Sequence, residues 1–423
     1  MNALLYPDNK QLTEALLRPA SKNSNLSESV ASIINRVKTG GDNALRQLNV
    51  EFDGYTNPEL RVSKESIAQA ASSVNTKIKQ AIELAYSNIE KFHAAQRPSD
   101  KTIETTAGVT CSIRYRALQR VGLYIPGGTA PLISTVLMLA IPAKVAGCKE
   151  LIFCTPPNPT PELLYALGLF DADIFLVGGA QAIAAMAYGT ETIPRVDKIF
   201  GPGNSYVTEA KIQVASQGVP IDMPAGPSEV LVIADEGANP AFISADVLSQ
   251  AEHGEDSQII MLTNSERILS ETQDEIRRQL SSLPRKAIAE KCLANSSLIL
   301  VSTLTEAIAI SNSYAPEHLI LAVENPNELV AEVTNAGSVF LGYLTPESVG
   351  DYSSGTNHTL PTSGFARNWS GVSTLSFLKT TTYQQLTPTG LQNLAEATIT
   401  LARAEGLEAH ARAVAVRLKE MGV

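Results

Sequence analysis

From about residue 119 onward, short apolar runs alternate with helix-like segments, and this alternation restricts the fold more than any other feature. Val121-Gly122-Leu123-Tyr124-Ile125, Leu151-Ile152-Phe153, Ile174-Phe175-Leu176-Val177 and Lys198-Ile199-Phe200 are each followed by a helical pattern. A second series places strands at 229–234, 258–262, 298–301, 319–323 and 338–341, again with helical segments between them. Short continuous apolar runs suit strands covered on both faces, and intervening helices carry the chain back so that successive strands lie parallel. The fold class is therefore α/β, with two modules.

The flanking regions differ. The first hundred residues are expected to be helical at 11–17, 30–37, 41–52, 64–71 and 75–92, and the chain becomes helical again from Thr387. That tail is too short to bury its apolar positions (Leu391, Leu394, Ile399, Leu401, Leu407) alone, so it is expected to pack on another domain or another subunit. Between them, 342–374 is a long stretch rich in Gly, Ser, Thr and Asn, and long loops in compact proteins are usually functional or disordered.

With 423 residues, 44% of them hydrophobic, the chain can form substantial cores in two or more domains. Lys and Arg number 33 against 43 Asp and Glu, a net charge of −10 with no sustained basic run, which argues against nucleic acid or an anionic membrane as partner. The start lacks a signal-peptide pattern, and the apolar stretch 130–145 is too short to span a bilayer and contains Pro131 and Pro142; a cytoplasmic location is the expectation. Cys111, Cys148, Cys154 and Cys292 form no CxxC pair and are expected to be thiols, mostly buried.

Four of the five histidines stand near a carboxylate or amide. Asn239-Pro240 is a helix start and Gly254 a helix stop, which would put Gln250 and His253 on one face of a last turn. That face can offer an amide oxygen and an imidazole to an ion; equally, His253 can simply complement the helix C-terminus. Glu317 and His318, after Pro316 and before a strand, are either an acid/base pair or a solvated polar turn. Asp351 and His358 lie among small residues that let a backbone close around a ligand. Glu405 and His410 are five apart, off a common helical face, and His93 is assigned to a helix surface. Glycine pairs at 127–128, 178–179 and 201–203 mark strand-to-helix turns, where phosphates bind in many α/β folds, but there is no GxGxxG or Walker A pattern.

Taken in order, Val121–Gly128, Phe200–Asn204, Ile221–Glu229, Leu248–Gly254, Ala315–Leu319 and the stretch from Gly350-Asp351 to His358 resemble the histidinol dehydrogenase family over nearly the whole chain, with a local departure at 366–370. The resemblance implies two incomplete Rossmann-like domains with parallel-sheet cores plus small helical terminal segments, assembled as a homodimer. The expected division is 1–24 as an N-terminal helical segment, 25–105 with 230–372 as the first domain, 106–229 as the second, and 373–423 as a tail on the partner subunit.

The same resemblance implies zinc-dependent oxidation of L-histidinol through L-histidinal to L-histidine with two NAD, in histidine biosynthesis. One zinc per subunit would be held by Gln250, His253, Asp351 and His410, the last from the partner. Ser228, His318, His358 and Glu405 would seat the substrate together with the metal ligands, and Tyr124, Gln181 and Asn204 would contact NAD. Glu317 and His318 would be the catalytic pair. His318 would take the alcohol proton and Glu317 would activate water for the second oxidation. Competing possibilities are a thiohemiacetal on Cys111 or Cys148, a zinc hydrolase using Glu317, and a non-catalytic metal- or nucleotide-binding protein.

Overall fold

The computed structural model describes residues 1–19, 25–127 and 132–422. Residues 20–24 of the expected N-terminal segment, Gly128 of the first glycine pair, Ala130 and Pro131 of the apolar stretch, and Val423 lie outside the described residues. In chain order the strands are β1 (Asn2–Leu5), β2 (Lys101–Thr106), β3 (Val109–Ala117), β4 (Arg120–Tyr124), β5 (Glu150–Thr155), β6 (Asp173–Leu176) and β7 (Lys198–Phe200). They continue with β8 (Glu229–Ala234), β9 (Gln258–Thr263), β10 (Ser297–Leu300), β11 (His318–Ala322), β12 (Ser338–Leu341) and β13 (Leu378–Leu386). No helix among the described residues is long and apolar enough to cross a membrane.

The chain divides into two compact units. The first comprises Met1–Gln96 and Gln119–Ser376, and the second Arg97–Leu118 and Phe377–Val423. Two wholly parallel sheets form the first unit: β1-β10-β9-β8-β11-β12 and β6-β5-β4-β7. The α/β class and the parallel pairing expected from the apolar runs are what is found.

The six-stranded sheet is apolar on both faces because both are covered. Val230, Val232, Ile259, Met261, Leu298 and Ile320 face one core with the helix Pro240–Ala251. The alternate residues Leu231, Ile233, Ile260, Leu262, Ile299 and Leu319 face another with the helix Leu304–Tyr314. This period-two division of unbroken apolar strands is what a two-sided parallel sheet requires. The four-stranded sheet packs on the helix Gly179–Tyr188 and on Val30, Ile33, Ile34, Val37, Leu45 and Leu48 of the helix Leu26–Asp53. The expected helices 30–37 and 41–52 are two helical segments separated by a break at Gly41, whose φ of 50° and ψ of −136° leave the helical region.

Two expectations are corrected. The start of the chain is not only helical: Asn2–Leu5 adds β1 to the edge of the six-stranded sheet by pairing with β10, and the helix Asn9–Ala15 follows. Residues 101–117 and 378–386, not anticipated as strands, form the antiparallel sheet β13-β3-β2 of the second unit. Beside that sheet in sequence, the helices Pro388–Ala404 and Glu408–Glu420 pack on each other and leave Leu401, Leu407 and Val416 exposed.

Candidate active site

In a βα unit the helix runs opposite to its strand, so helix C-termini gather at the amino edge of a parallel sheet. Two such ends meet at the amino ends of β8 and β11. The helix Leu304–Tyr314 stops at Ala315, whose φ of 55° is left-handed, and Pro316 follows. That break delivers Glu317 and His318 together just as β11 begins, and both are buried, 5% and 4% exposed. The solvated-turn alternative is thereby excluded.

His318 is held by its Nδ1 nitrogen. The Glu229 carbonyl lies 3.1 Å away and can only accept, so Nδ1 carries the proton. Glu347 Oε1 at 3.5 Å and Glu317 Oε2 at 3.6 Å add further acceptors on that side. Nε2 is left as the free lone pair: it is buried, without a hydrogen-bond partner, and 3.7 Å from Asp351 Oδ1. Burial pushes the imidazole below its usual range, which keeps Nε2 unprotonated near neutrality. Glu317 accepts from the Glu229 N–H at 2.9 Å, and burial raises its carboxyl well above the ordinary range.

The helix Pro240–Ala251 starts as expected, with the Asn239 side chain accepting from Ala241 N. It ends earlier than expected. Glu252 rather than Gly254 is the C-cap, so His253 sits on the turn after the helix, joined to Gln250 by a 3.2 Å main-chain bond. His253 and Asp351 come together with Glu347, their ligand atoms all within 4.8 Å of one another. Gln250 is fully buried with neither amide atom hydrogen-bonded. A buried unpaired amide is costly, and its neighbours form a group of oxygen and nitrogen donors suited to a divalent cation. These residues fit a metal ion.

Glu347 was missed by the sequence expectations. The stretch 342–374 holds a short helix, Glu347–Tyr352, and a turn of 3-10 helix at Phe365–Arg367 within otherwise irregular chain. Glu347 and Asp351 are four apart on that short helix, a same-face spacing that stood in the sequence unread. Burial, then the charges of Asp351 and Glu317, pushes the Glu347 carboxyl well above its usual range. Asp246, four residues before Gln250, is pushed up to about 7 by burial.

His358 links this edge to the four-stranded sheet. Its Nδ1 donates to the Asp351 carbonyl at 2.9 Å, and Nε2 lies 3.2 Å from Thr135 Oγ1, in the helix that follows β4. In the order β6-β5-β4-β7 the chain leaves β4 to one side for β5 and later returns on the other with β7, so the carboxyl ends of β4 and β7 flank a switch point where ligands bind in open α/β sheets. Tyr124 ends β4, and its hydroxyl accepts from Gly179 N at 3.0 Å. Gln181 is buried in the helix after β6, and Asn204 caps the helix after β7 while remaining exposed. Gly201, at φ 129°, lies so close to Tyr124 that a Cβ would fall 2.2 Å from the Tyr124 carbonyl oxygen. Its N–H donates to Asp222, and its carbonyl accepts from Lys211, itself paired with Asp222.

Ser228 is partly buried immediately before Glu229, and its carbonyl accepts from Gln258 N. Glu405 and His410 belong to the second unit, both exposed, at the end of one tail helix and the start of the next. His93 is not on a helix surface. It is fully buried, with Nδ1 2.9 Å from Gln96 Oε1 and Nε2 3.3 Å from Asn357 Nδ2, because it continues the inward stripe Ile82, Ala85, Ile89. Cys154 and Cys292 are buried, Cys111 and Cys148 partly so, and all four are free thiols.

Known proteins converge on the same description. The histidinol dehydrogenase family profile matches residues 16–418. The chain is 53% identical to histidinol dehydrogenase of Bacteroides fragilis strain YCH46 over the full length of both, and 52% identical to that of Vibrio vulnificus strain YJ016 over 96% of this chain and 95% of the other. The crystal structure of histidinol dehydrogenase from Elizabethkingia anophelis superposes with a TM-score of 0.97 at 50% identity, covering 100% of this chain and 99% of that one. With both the site-bearing segments and the fold spanned by these matches, the chain belongs to the histidinol dehydrogenase family.

Proposed function

We propose that this protein oxidises L-histidinol through L-histidinal to L-histidine, with two NAD consumed in turn and one zinc ion per subunit, completing histidine biosynthesis in the cytoplasm. The observation that carries the proposal is His318: Nδ1 is tied to the Glu229 carbonyl, and Nε2 is buried, unpaired and aimed at the donor group. Gln250, His253 and Asp351 would hold the metal, with His410 of the partner subunit. Zinc, when bound, supplies a Lewis-acidic anchor for the substrate's nitrogens, and NAD supplies the hydride acceptor.

His318 and the metal ligands Gln250, His253 and Asp351, with Ser228, His358 and Glu405 of the partner subunit, orient the substrate. Tyr124, Gln181 and Asn204 contact the nicotinamide cofactor. In the first oxidation His318 Nε2 takes the hydroxyl proton as hydride leaves the carbinol carbon. Glu317 then takes a proton from water as its oxygen adds to the aldehyde carbon. A second hydride departs while His318, having first released the alcohol proton to solvent, takes the remaining hydroxyl proton, leaving the carboxylate. Burial raises the Glu317 carboxyl above the ordinary range, which makes its carboxylate a stronger base toward water than an ordinary glutamate's.

The cysteine alternative is disfavoured by chemistry at Cys148, where burial pushes the thiol up to about 12 and leaves little thiolate near neutrality. Cys111 lies on β3, in the second unit. A hydrolase would not need an apposed switch-point crevice at Tyr124.

Single-turnover measurements test the assignment of roles. His318→Asn should slow the first NADH by about 10²–10⁴-fold, the usual range for losing a general base, with zinc content unchanged. Glu317→Gln should release the first NADH at a near-normal rate and stall before the second. Equal impairment of both NADH steps in Glu317→Gln would refute the division of labour.

A further inference from the structure

A ring of polar contacts closes around the Glu229 carboxylate, and no role proposed above uses it. Arg18 Nε and Nη2 grip the Glu229 carboxylate at 2.5 and 2.9 Å, while Nη2 also donates to the Tyr314 carbonyl at 2.9 Å. The guanidinium lies 3.9 Å from the centre of the Tyr314 ring. Tyr314 OH donates to Gln258 Oε1 at 2.9 Å, and Gln258 Nε2 donates to the Leu17 carbonyl at 2.8 Å, closing the ring back beside Arg18. Ser363 N, from the stretch that carries His358, donates to Glu229 Oε1 at 2.8 Å.

Glu229 itself touches both members of the catalytic pair, through its backbone. Its N–H holds Glu317 Oε2 and its C=O holds His318 Nδ1. Its side chain is 4% exposed, so the carboxylate has no recourse to bulk water if Arg18 is lost. We propose that Arg18 and Glu229 are positioning residues, their ion pair fixing the peptide groups that orient Glu317 and His318. The proposal rests on the assignment of that pair as the catalytic acid and base. It explains why a segment at the start of the chain reaches the amino edge of the large sheet. It also explains why arginine is needed there: lysine cannot grip a carboxylate with two parallel donors while lying flat on a tyrosine ring.

The test compares Arg18→Met, Arg18→Lys, Glu229→Gln and the double variant Arg18→Met/Glu229→Gln, each purified as the zinc-loaded full chain. Metal content, melting temperature, kcat and the KM for histidinol and for NAD are measured well below the melting temperature. Misplacing reacting groups by about 1 Å costs up to ~10²-fold, so kcat should fall about tenfold to a hundredfold, with both KM values and zinc content nearly unchanged. Because one device is removed either way, the double variant should be no slower than the slower single variant. Should Arg18→Met fail to fold, Arg18→Lys and Glu229→Gln carry the same comparison. Wild-type kcat in folded, zinc-loaded variants with only a lowered melting temperature would overturn the proposal, as would losses that multiply in the double variant. His318→Asn is run alongside. If it stays active, the underlying catalytic assignment falls; if it is inactive while the Arg18 variants turn over normally, the positioning role alone falls.

Discussion

His93 and His318 are both buried imidazoles, and their partners separate a structural histidine from a chemical one. His93 satisfies both ring nitrogens, and the Thr374 hydroxyl donates to its backbone carbonyl, so it ties the stretch containing His358 to the helix Thr76–Ala95 at Asn357 and at Thr374. His318 leaves one nitrogen unpaired. Burial lowers the pKa of His93 below its ordinary 6.5, so below that pH the unfolded chain takes up a proton that the folded chain resists. The stability His93 contributes is therefore complete above pH 6.5 and is lost as pH falls toward its folded pKa. In denaturant titrations between pH 6.5 and 5, His93→Gln should lose stability less steeply than the parent, by at most about 1.4 kcal/mol per pH unit. Equal slopes would contradict this. At this scale the sequence was partly legible: the stripe Ile82, Ala85, Ile89, His93 already marked a buried face, but a polar residue beside Phe92 was given the exposed one. Glu347 escaped because its short helix lies in a stretch whose composition looks like loop, and only the fold brings it to His318.

Among the elements, the parallel strands were legible because each is an unbroken apolar run, and a run of that kind has to be covered on both sides. The remaining strands lack that mark. β13 reads Leu-Lys-Thr-Thr-Thr-Tyr-Gln-Gln-Leu and is almost wholly exposed; it exists through its antiparallel register with β3 from Leu378↔Ala117 to Leu386↔Val109. β1 is four residues long and owes its form to β10. Turns carry the sharper functional test. Gly201 and Gly54 both have positive φ, 129° and 64°, but a Cβ at Gly54 would meet nothing within 4 Å, whereas one at Gly201 would strike the Tyr124 carbonyl. Both Gly→Ala changes should cost about 1–3 kcal/mol of backbone strain. Gly201→Ala alone should also weaken NAD binding by about tenfold or more, the loss expected when a turn that must approach the cofactor closely is displaced. Calorimetric titration of NAD into both variants checks this, and unchanged affinity in Gly201→Ala would count against the proposed cofactor edge.

For the molecule as a whole, the acid/base pair and the expected cofactor edge come from opposite ends of two parallel sheets in one unit, and His358 reaches from one to the other. Two of the expected site residues, Glu405 and His410, lie on the other unit, on helices whose apolar side is exposed in the single chain. The proposed homodimer gives those helices a partner and makes each site a joint product of two chains. Mixing inactive His253→Asn and His410→Asn chains should then restore one intact site per mixed dimer, about a quarter of wild-type activity per chain at full statistical exchange. No recovery after verified exchange would argue against a shared site. The two-step, zinc-dependent oxidation is tested most directly by counting NADH released per histidinol at completion, with the metal present, after its verified removal, and after zinc is returned. The account predicts two NADH, then none, then two again; one NADH per histidinol, or turnover that survives metal removal, would contradict it.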